Sequence, residues 1–455
     1  MRLTMLGAIT VCICLGAAST AQSTKDAALE TRLDKIVTSY TNGNAFMGTV
    51  LVADGDRIVL NKGYGMANLG WNIPNAPDVK FRLGSLTKQF TAALVLIMQE
   101  DGKLNIQDRV SKYLPDTPQA WGNITLAELL GHTAGIPNFP FVAGFDTWKM
   151  SAHSPEELLA LFSDKPLDFE PGSKFEYSNS NYEVLGVVLE KVSGEKYGDL
   201  LQERIFKPLG MNDSGLDADE LILSRFAQGY MQAKSGLVLA RPGSMTVPWA
   251  AGSIYSTTGD LLKWEHGLFG GKLLSAATLK SMTTPGKGNY GFGVFIGNHD
   301  GLKVIGHSGA IEGFNSNLIY VPEGRIAVVV LSNVSGSAPS QMGSELLDTV
   351  LGKPVVLASE QKPMPIARDE LMKFVGAYDL TARASLTIVM TDGGLTAQTT
   401  GDPVYPITYQ GLKNGHPSFL DSAIGGTIEF IPDASGAITS LVLHWGGHDI
   451  PAKRH

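Results

Sequence analysis

Phe81-Arg82-Leu83-Gly84-Ser85-Leu86-Thr87-Lys88-Gln89-Phe90 sets a serine three residues ahead of a lysine at the mouth of an apolar run. From Phe90 to Met98 only Thr91 is polar, and the run closes at Gly102. A helix that is apolar nearly all round belongs inside a large core. Residues three apart on a helix share a face, so Ser85 and Lys88 are predicted to meet there. The pairing has a chemical use. A serine hydroxyl is a poor nucleophile until a base takes its proton. Lysine is a poor base near pH 7 until burial or a neighbouring positive charge lowers its pKa. The first turn of a buried helix supplies both effects, through apolar surroundings and the positive end of the helix dipole. Its free backbone N–H groups also suit an oxyanion. The bland alternative is a helix-capping serine followed by a surface lysine, but a surface lysine rarely opens so apolar a run.

Outward from this stretch, composition bounds the rest. The chain has 455 residues, 44% of them hydrophobic and 18% charged, as in an ordinary globular protein of two or three domains. The net charge of −8 and the lack of any basic run give no reason to expect nucleic acid as a partner. Residues 1–21 have the pattern of a secretory signal: Arg2, an apolar segment Leu6 to Leu15, then Ser19-Thr20-Ala21. The apolar part is too short to span a membrane. Both cysteines, Cys12 and Cys14, fall in this leader. The mature chain therefore has no disulfide, thiolate ligand or cysteine nucleophile. The expected location is exported, periplasmic or secreted.

The pattern along the chain is α+β. A helix is predicted over 26–40, from Leu29, Leu33, Ile36 and Val37, followed by a hairpin of 48–53 and 57–61 around Asp54-Gly55-Asp56. Helices are expected over 125–130, 154–162, 181–192, 258–269, 275–282 and 341–351. Strands are expected over 290–296, 302–305, 317–320 and 326–332. A hairpin early, helices in the middle and antiparallel strands late imply one sheet built from both ends of a domain. That domain is placed at 22–355, with a linker at 356–366. The tail, 367–455, opens with a short helix over 368–374. Short strands follow near 385–390, 395–399, 404–409, 417–421, 427–431 and 438–444, which suggests a small antiparallel barrel or sandwich.

Three further stretches complete a set with Ser85 and Lys88: Leu129-Leu130-Gly131-His132-Thr133-Ala134-Gly135-Ile136, Tyr177-Ser178-Asn179 and His307-Ser308-Gly309. In this order and spacing the chain resembles the serine β-lactamase and penicillin-binding-protein superfamily. Within it, the likeness is to the branch of class C β-lactamases, D-aminopeptidases and related esterases. It covers about residues 30 to 350. The tail resembles the lipocalin-like β-domain of some members of that branch. The resemblance implies a β-lactamase/transpeptidase-like domain: an antiparallel sheet flanked by helices, plus a helical region. It implies Ser85 as the acylated nucleophile, Lys88 as its partner base and Tyr177 as the residue sharing the proton. A phenol beside an ammonium can have its own pKa lowered, so the base is open between Lys88 and Tyr177. It implies Asn179 as the amide that orients substrate and contacts the lysine, and His307-Ser308-Gly309 as the strand motif lining the far side of the pocket. The backbone N–H of Ala310 would join that of Ser85 as the oxyanion hole. Ser178, His132 and Gly135 are read as structural.

One position departs from the pattern. Class C β-lactamases usually carry lysine where His307 stands. A histidine near its free pKa is mostly neutral at pH 7 and grips a carboxylate weakly. This leans away from efficient β-lactam hydrolysis and towards esters and peptides. The expectation is an exported serine hydrolase forming an acyl-enzyme on Ser85 and cleaving small esters or D-amino-acid peptides and amides. Peptidoglycan-derived pieces are among the candidate substrates. The alternatives are a cell-wall D,D-carboxypeptidase or class C-like β-lactamase, and a non-catalytic sensor keeping the fold. No metal or organic cofactor is called for. Two decoys are set aside. Gly286-Lys287-Gly288-Asn289-Tyr290-Gly291 fits a phosphate-loop spacing, but a strand pattern follows where a helix is needed. His444 and His448 lie four apart beside two glycines, without cysteine or a helical partner for zinc.

Overall fold

A computed structural model describes residues 11–41, 45–233, 236–241, 243–355, 357, 364–380, 384–400, 404–421, 426–445 and 448–455, with backbone alone at 11–25, 426, 444–445 and 448–449. The early hairpin forms as expected: β1 (Gly48–Asp54) and β2 (Arg57–Tyr64) turn at Gly55, whose φ is 65°. Late in the chain come β3 (Phe295–His299), β4 (Leu302–Ile311), β5 (Phe314–Val321) and β6 (Ile326–Ser332). Together they make one antiparallel sheet in the order β3-β4-β5-β6-β1-β2. The two ends of the domain meet where Gly48 faces Ser332 and Asp54 faces Ile326. Every residue of β6 is buried, as are the first six of β1. Both faces are covered, which is why these strands read as unbroken apolar runs rather than as alternation. Val50, Val52, Val328 and Val330 pack under α1 (Val11–Thr41) and α6 (Ala338–Val350). Leu51, Ala53, Val329 and Leu331 face a larger core, which holds α2 (Thr87–Glu100) and α5 (Thr258–Phe269).

The predicted buried helix is α2, in which every residue from Thr87 to Met98 is buried. Phe90 stacks on Trp264 of α5 with ring centroids 4.1 Å apart. α1 runs from Val11 through the helix expected over 26–40 without a break. The first ten residues of the expected leader lie outside the described residues. Capping boxes at Thr125 and Ser154 start Leu126–Leu130 and Pro155–Ser163 at the predicted places. Two expectations need correction. The strand predicted from 290 begins only at Phe295, because 290–294 is a turn pressed onto α2. A Cβ at Gly293 would lie 2.6 Å from the Lys88 carbonyl oxygen. β4 extends six residues past the 305 at which its apolar pattern stops, taking in the His307-Ser308-Gly309 strand motif that the resemblance implied.

The tail is a closed barrel of eight antiparallel strands in chain order, two more than the six expected. The missed strands are Gly376–Asp379 and His448–Arg454, which pair with each other and close the barrel. The first is four residues long, and the second carries Pro451, Lys453 and Arg454, so neither shows a strong apolar alternation. Phe374, Tyr378, Phe419 and Phe430 fill the interior in edge-to-face and tilted contacts. The side chains of His444 and His448 lie outside the described residues. Among the described residues no helix is long and apolar enough to cross a membrane.

Candidate active site

Ser85 sits in a 3-10 turn, Gly84–Leu86, that leads straight into α2, and Lys88 is the second residue of that helix. The Lys88 side chain is fully buried. Its Nζ lies 2.9 Å from Ser85 Oγ, 2.8 Å from Asn179 Oδ1 and 2.9 Å from the Ala251 carbonyl oxygen. Asn179 opens α3 (Asn179–Ser193), and Ala251 belongs to the one-turn helix α4 (Trp249–Gly252). Burial pulls the Lys88 amine down from 10.5 to about 7, against an upward pull from the Glu183 carboxyl.

The hydrogen bonds say where the amine's lone pair points. The Ala251 carbonyl can only accept. Asn179 is fixed the same way round, because its Nδ2 donates to Asn138 Oδ1, which also takes the Asn179 backbone N–H at 2.8 Å. A neutral amine has two hydrogens and both are committed to these acceptors. Its lone pair is left facing the Ser85 hydroxyl, the orientation in which it can receive that proton.

The Tyr177 ring lies 4.9 Å from Lys88 Nζ, and its hydroxyl is buried without a hydrogen bond of good geometry. Burial pushes the Tyr177 phenol well above its ordinary value, and the Ser85 hydroxyl only partly offsets this. The lowering expected from a neighbouring ammonium does not appear: desolvation dominates, and it favours the protonated phenol. Behind Tyr177 stands a stack of rings. His132 is fully buried at φ 55°, 4.3 Å from the Tyr177 ring, 5.1 Å from Tyr182 and 4.8 Å from Tyr290. Its Nδ1 accepts the Ser178 N–H at 3.2 Å. Burial, Lys88 and His307 all push its pKa down, so it is a neutral packing residue, as read from the sequence.

The far wall is β4. β3 pairs with β4 only across 302–306, so among the described residues the edge of 307–311 is left facing the Ser85 turn. The approach is close. A Cβ on Gly309 would lie 1.9 Å from the Leu83 carbonyl oxygen, and one on Gly84 would lie 2.8 Å from the Ala310 nitrogen. Gly84 also has φ 56°, so both conformation and space demand glycine. Ser316 Oγ ties the junction by donating to Leu83 O at 2.6 Å. His307 is buried, with its Nδ1–H donating to the Ser308 carbonyl and its Nε2 3.1 Å from the Tyr290 hydroxyl.

Ser85, Lys88, Tyr177, Asn179 and the stretch His307 to Ala310 are thus brought to one place. The sequence reading missed four contributors. Asn138 lies in a loop with no pattern of its own. The Ala251 carbonyl is a backbone group, so no side chain announces it. Tyr290 sits in the supposed strand that proves to be a turn. Glu183 could have been found: α3 begins at Asn179, not at the predicted 181, and four residues on from Asn179 is Glu183, on the same face. Trp249 is core, packed against Tyr197 and Gly186.

Comparison with known proteins shows what the chain as a whole is similar to. The Beta-lactamase family pattern matches residues 33–350. The chain is 32% identical over 303 residues to the PbpX protein of Bacillus subtilis (strain 168), covering 66% of this chain and 74% of that one. It is similar in structure to an octameric penicillin-binding protein homologue from Pyrococcus abyssi, with a TM-score of 0.65, 26% identity and coverage of 93% and 99% of the two chains. A D-stereospecific amidohydrolase from Streptomyces sp. gives a TM-score of 0.61 and 26% identity over 72% of this chain and 99% of that one.

Proposed function

The chain belongs to the β-lactamase family, and from that premise we propose that it is an exported enzyme cleaving small esters or D-amino-acid peptides and amides through an acyl-enzyme on Ser85. It is a serine hydrolase of the β-lactamase and penicillin-binding type with a β-barrel tail. The observation that carries the acyl-enzyme chemistry is a fully buried amine, held near pKa 7, with its lone pair on the Ser85 hydroxyl.

In this reading Ser85 Oγ attacks the substrate carbonyl carbon while its proton passes to Lys88 Nζ. The carbonyl oxygen becomes an oxyanion between the N–H groups of Ser85 and Ala310. Collapse of the tetrahedral intermediate breaks the bond to the leaving amine or alkoxide. Lys88 returns the proton to it, with the neutral Tyr177 hydroxyl alongside. Water then attacks the acyl-enzyme, giving its proton to Lys88, and the acid leaves as Ser85 is restored. His307 is engaged by Ser308 and Tyr290, and an imidazole is not the permanent cation that a lysine there would be. That supports substrates whose binding does not depend on gripping a carboxylate. The likeness to a D-stereospecific amidohydrolase supports D-configured amides among them.

Intact mass spectrometry after incubation with p-nitrophenyl esters, D-alanyl amides and a chromogenic cephalosporin tests this. The expected result is turnover of the first two and an acyl adduct on wild type that Ser85→Ala lacks. Preferred turnover of the cephalosporin would favour a β-lactamase instead. Absence of labelling by a fluorophosphonate would favour a silent sensor. Export is tested by the mature N-terminus in the periplasm or medium, expected just after Ala21.

A further inference from the structure

Beneath Lys88 lies a carboxyl that the reaction scheme does not use. Glu183 stands one turn after Asn179 on the face of α3 that looks at α2, and its side chain is fully buried. One oxygen, Oε2, accepts the Ala250 N–H at 3.2 Å, while Oε1 is buried without a hydrogen-bond partner. The next residue along α4, Ala251, gives its carbonyl to Lys88, and the Ala250 carbonyl takes the Thr91 hydroxyl at 2.6 Å. The same two peptide units therefore hold the acid on one side and the amine on the other. Gly186 sets the spacing, since a Cβ there would lie 2.6 Å from Ala250 and 2.7 Å from Trp249.

We propose that Glu183 is a positioning residue for Lys88, a buried carboxylate whose charge balances the lysinium formed when Ser85 gives up its proton. This rests on Lys88 being the base. A lysinium made in a dry site is costly unless an opposite charge shares the space. Among the described residues Glu183 is the carboxyl whose field acts on Lys88. The other groups facing the amine are Ser85 from the turn, Asn179 and the Tyr182 ring from α3, the Tyr177 ring, and the Ala251 carbonyl from α4. His132 also lies within reach of the Lys88 field, and His307 acts on His132 in turn. None of these supplies a negative charge while the tyrosines stay protonated. Burial pushes the Glu183 carboxyl up, to about 8, against the downward pull of the Lys88 ammonium and of the Ala250 and Ala251 N–H groups, so its carboxylate is the form that a neighbouring lysinium favours.

A merely structural Glu183 would need only an acceptor for the Ala250 N–H, which glutamine provides. The test is the rate of Ser85 phosphonylation by a fluorophosphonate across pH for wild type, Glu183→Gln and Lys88→Met. Glu183→Gln is expected to keep the melting temperature but move the acid limb down by about one pH unit, the effect of losing a nearby opposite charge. Its plateau falls too, because a less basic amine is a weaker general base. A Glu183→Gln profile superimposed on wild type, with Lys88→Met silent, overturns the proposal and leaves Lys88 as base. Lys88→Met labelling as fast as wild type overturns both. A second readout does not need the Glu183→Gln variant. In protein labelled with ¹³C at glutamate carboxyls, the Glu183 signal, told apart from that of the likewise buried Glu265 by the signal missing in Glu265→Gln, is expected to titrate higher in Lys88→Met than in wild type. Equal midpoints would overturn the proposal.

Discussion

At the scale of single residues, the choice between Lys88 and Tyr177 as base comes down to desolvation. Burial disfavours the charged form of each, so it moves a lysine down and a tyrosine up. For Lys88 this gives a free amine close to pH 7; for Tyr177 it removes the phenolate. The sign for activity follows. Above about pH 7 the amine is unprotonated and competent; below it the lysinium cannot take a proton, so kcat/KM falls with an acid limb centred near 7. Tyr177→Phe is expected to lower the rate and leave that limb in place. Lys88→Met is expected to cost about 10²–10⁴-fold in kcat, the usual worth of a general base. Steady-state pH profiles of the two variants check this, and a limb that vanishes in Tyr177→Phe would return the role to the phenol. The pairing of Ser85 with Lys88 was legible because spacing on one helix is local information. The balance of pKa values was not, because it depends on how deeply residues from α2, α3 and β4 bury one another.

Between elements, the active site is a joint: the turn before α2 against the free half of β4. Gly84 is its hinge point, held at φ 56° with Ala310 N where a side chain would go. Gly84→Ala must push β4 away and so separate the two N–H groups proposed to hold the oxyanion. Loss of one such donor is worth about 10²–10³ in kcat. The expected outcome is a fall of that size, with KM changed far less and the melting temperature lowered. Equal activity in Gly84→Ala would remove Ala310 from the oxyanion role. The sequence located His307-Ser308-Gly309 by their order. The resemblance made them a strand motif, although the apolar pattern stopped at 305, because glycines and polar residues on an open edge carry neither apolar alternation nor a turn signal. The sequence pattern also began α3 two residues late, which concealed that Asn179 and Glu183 share a face.

For the whole molecule, the barrel has a core of its own, centred on Phe374, Phe419 and Phe430, distinct from the two cores that clasp the sheet. Phe430→Ala is expected to cost the barrel about 3–5 kcal/mol, as for large-to-small changes in a packed interior. Fluorophosphonate labelling of Ser85 should continue at its wild-type rate. Calorimetry alongside labelling reads both, and a parallel loss of labelling would show that the barrel supports the site. By itself the sequence determined the α+β class, the sheet built from two distant segments, the buried helix after Ser85 and a β tail, because apolar periodicity is written in neighbouring residues. Only the tertiary structure decided that the tail closes with eight strands, that the 290–294 segment is a turn against α2, and that Asn138, Glu183 and the Ala251 carbonyl converge on Lys88. Those facts depend on which backbones lie against one another across hundreds of residues, and a carbonyl or an empty glycine contact leaves no mark in the order of side chains.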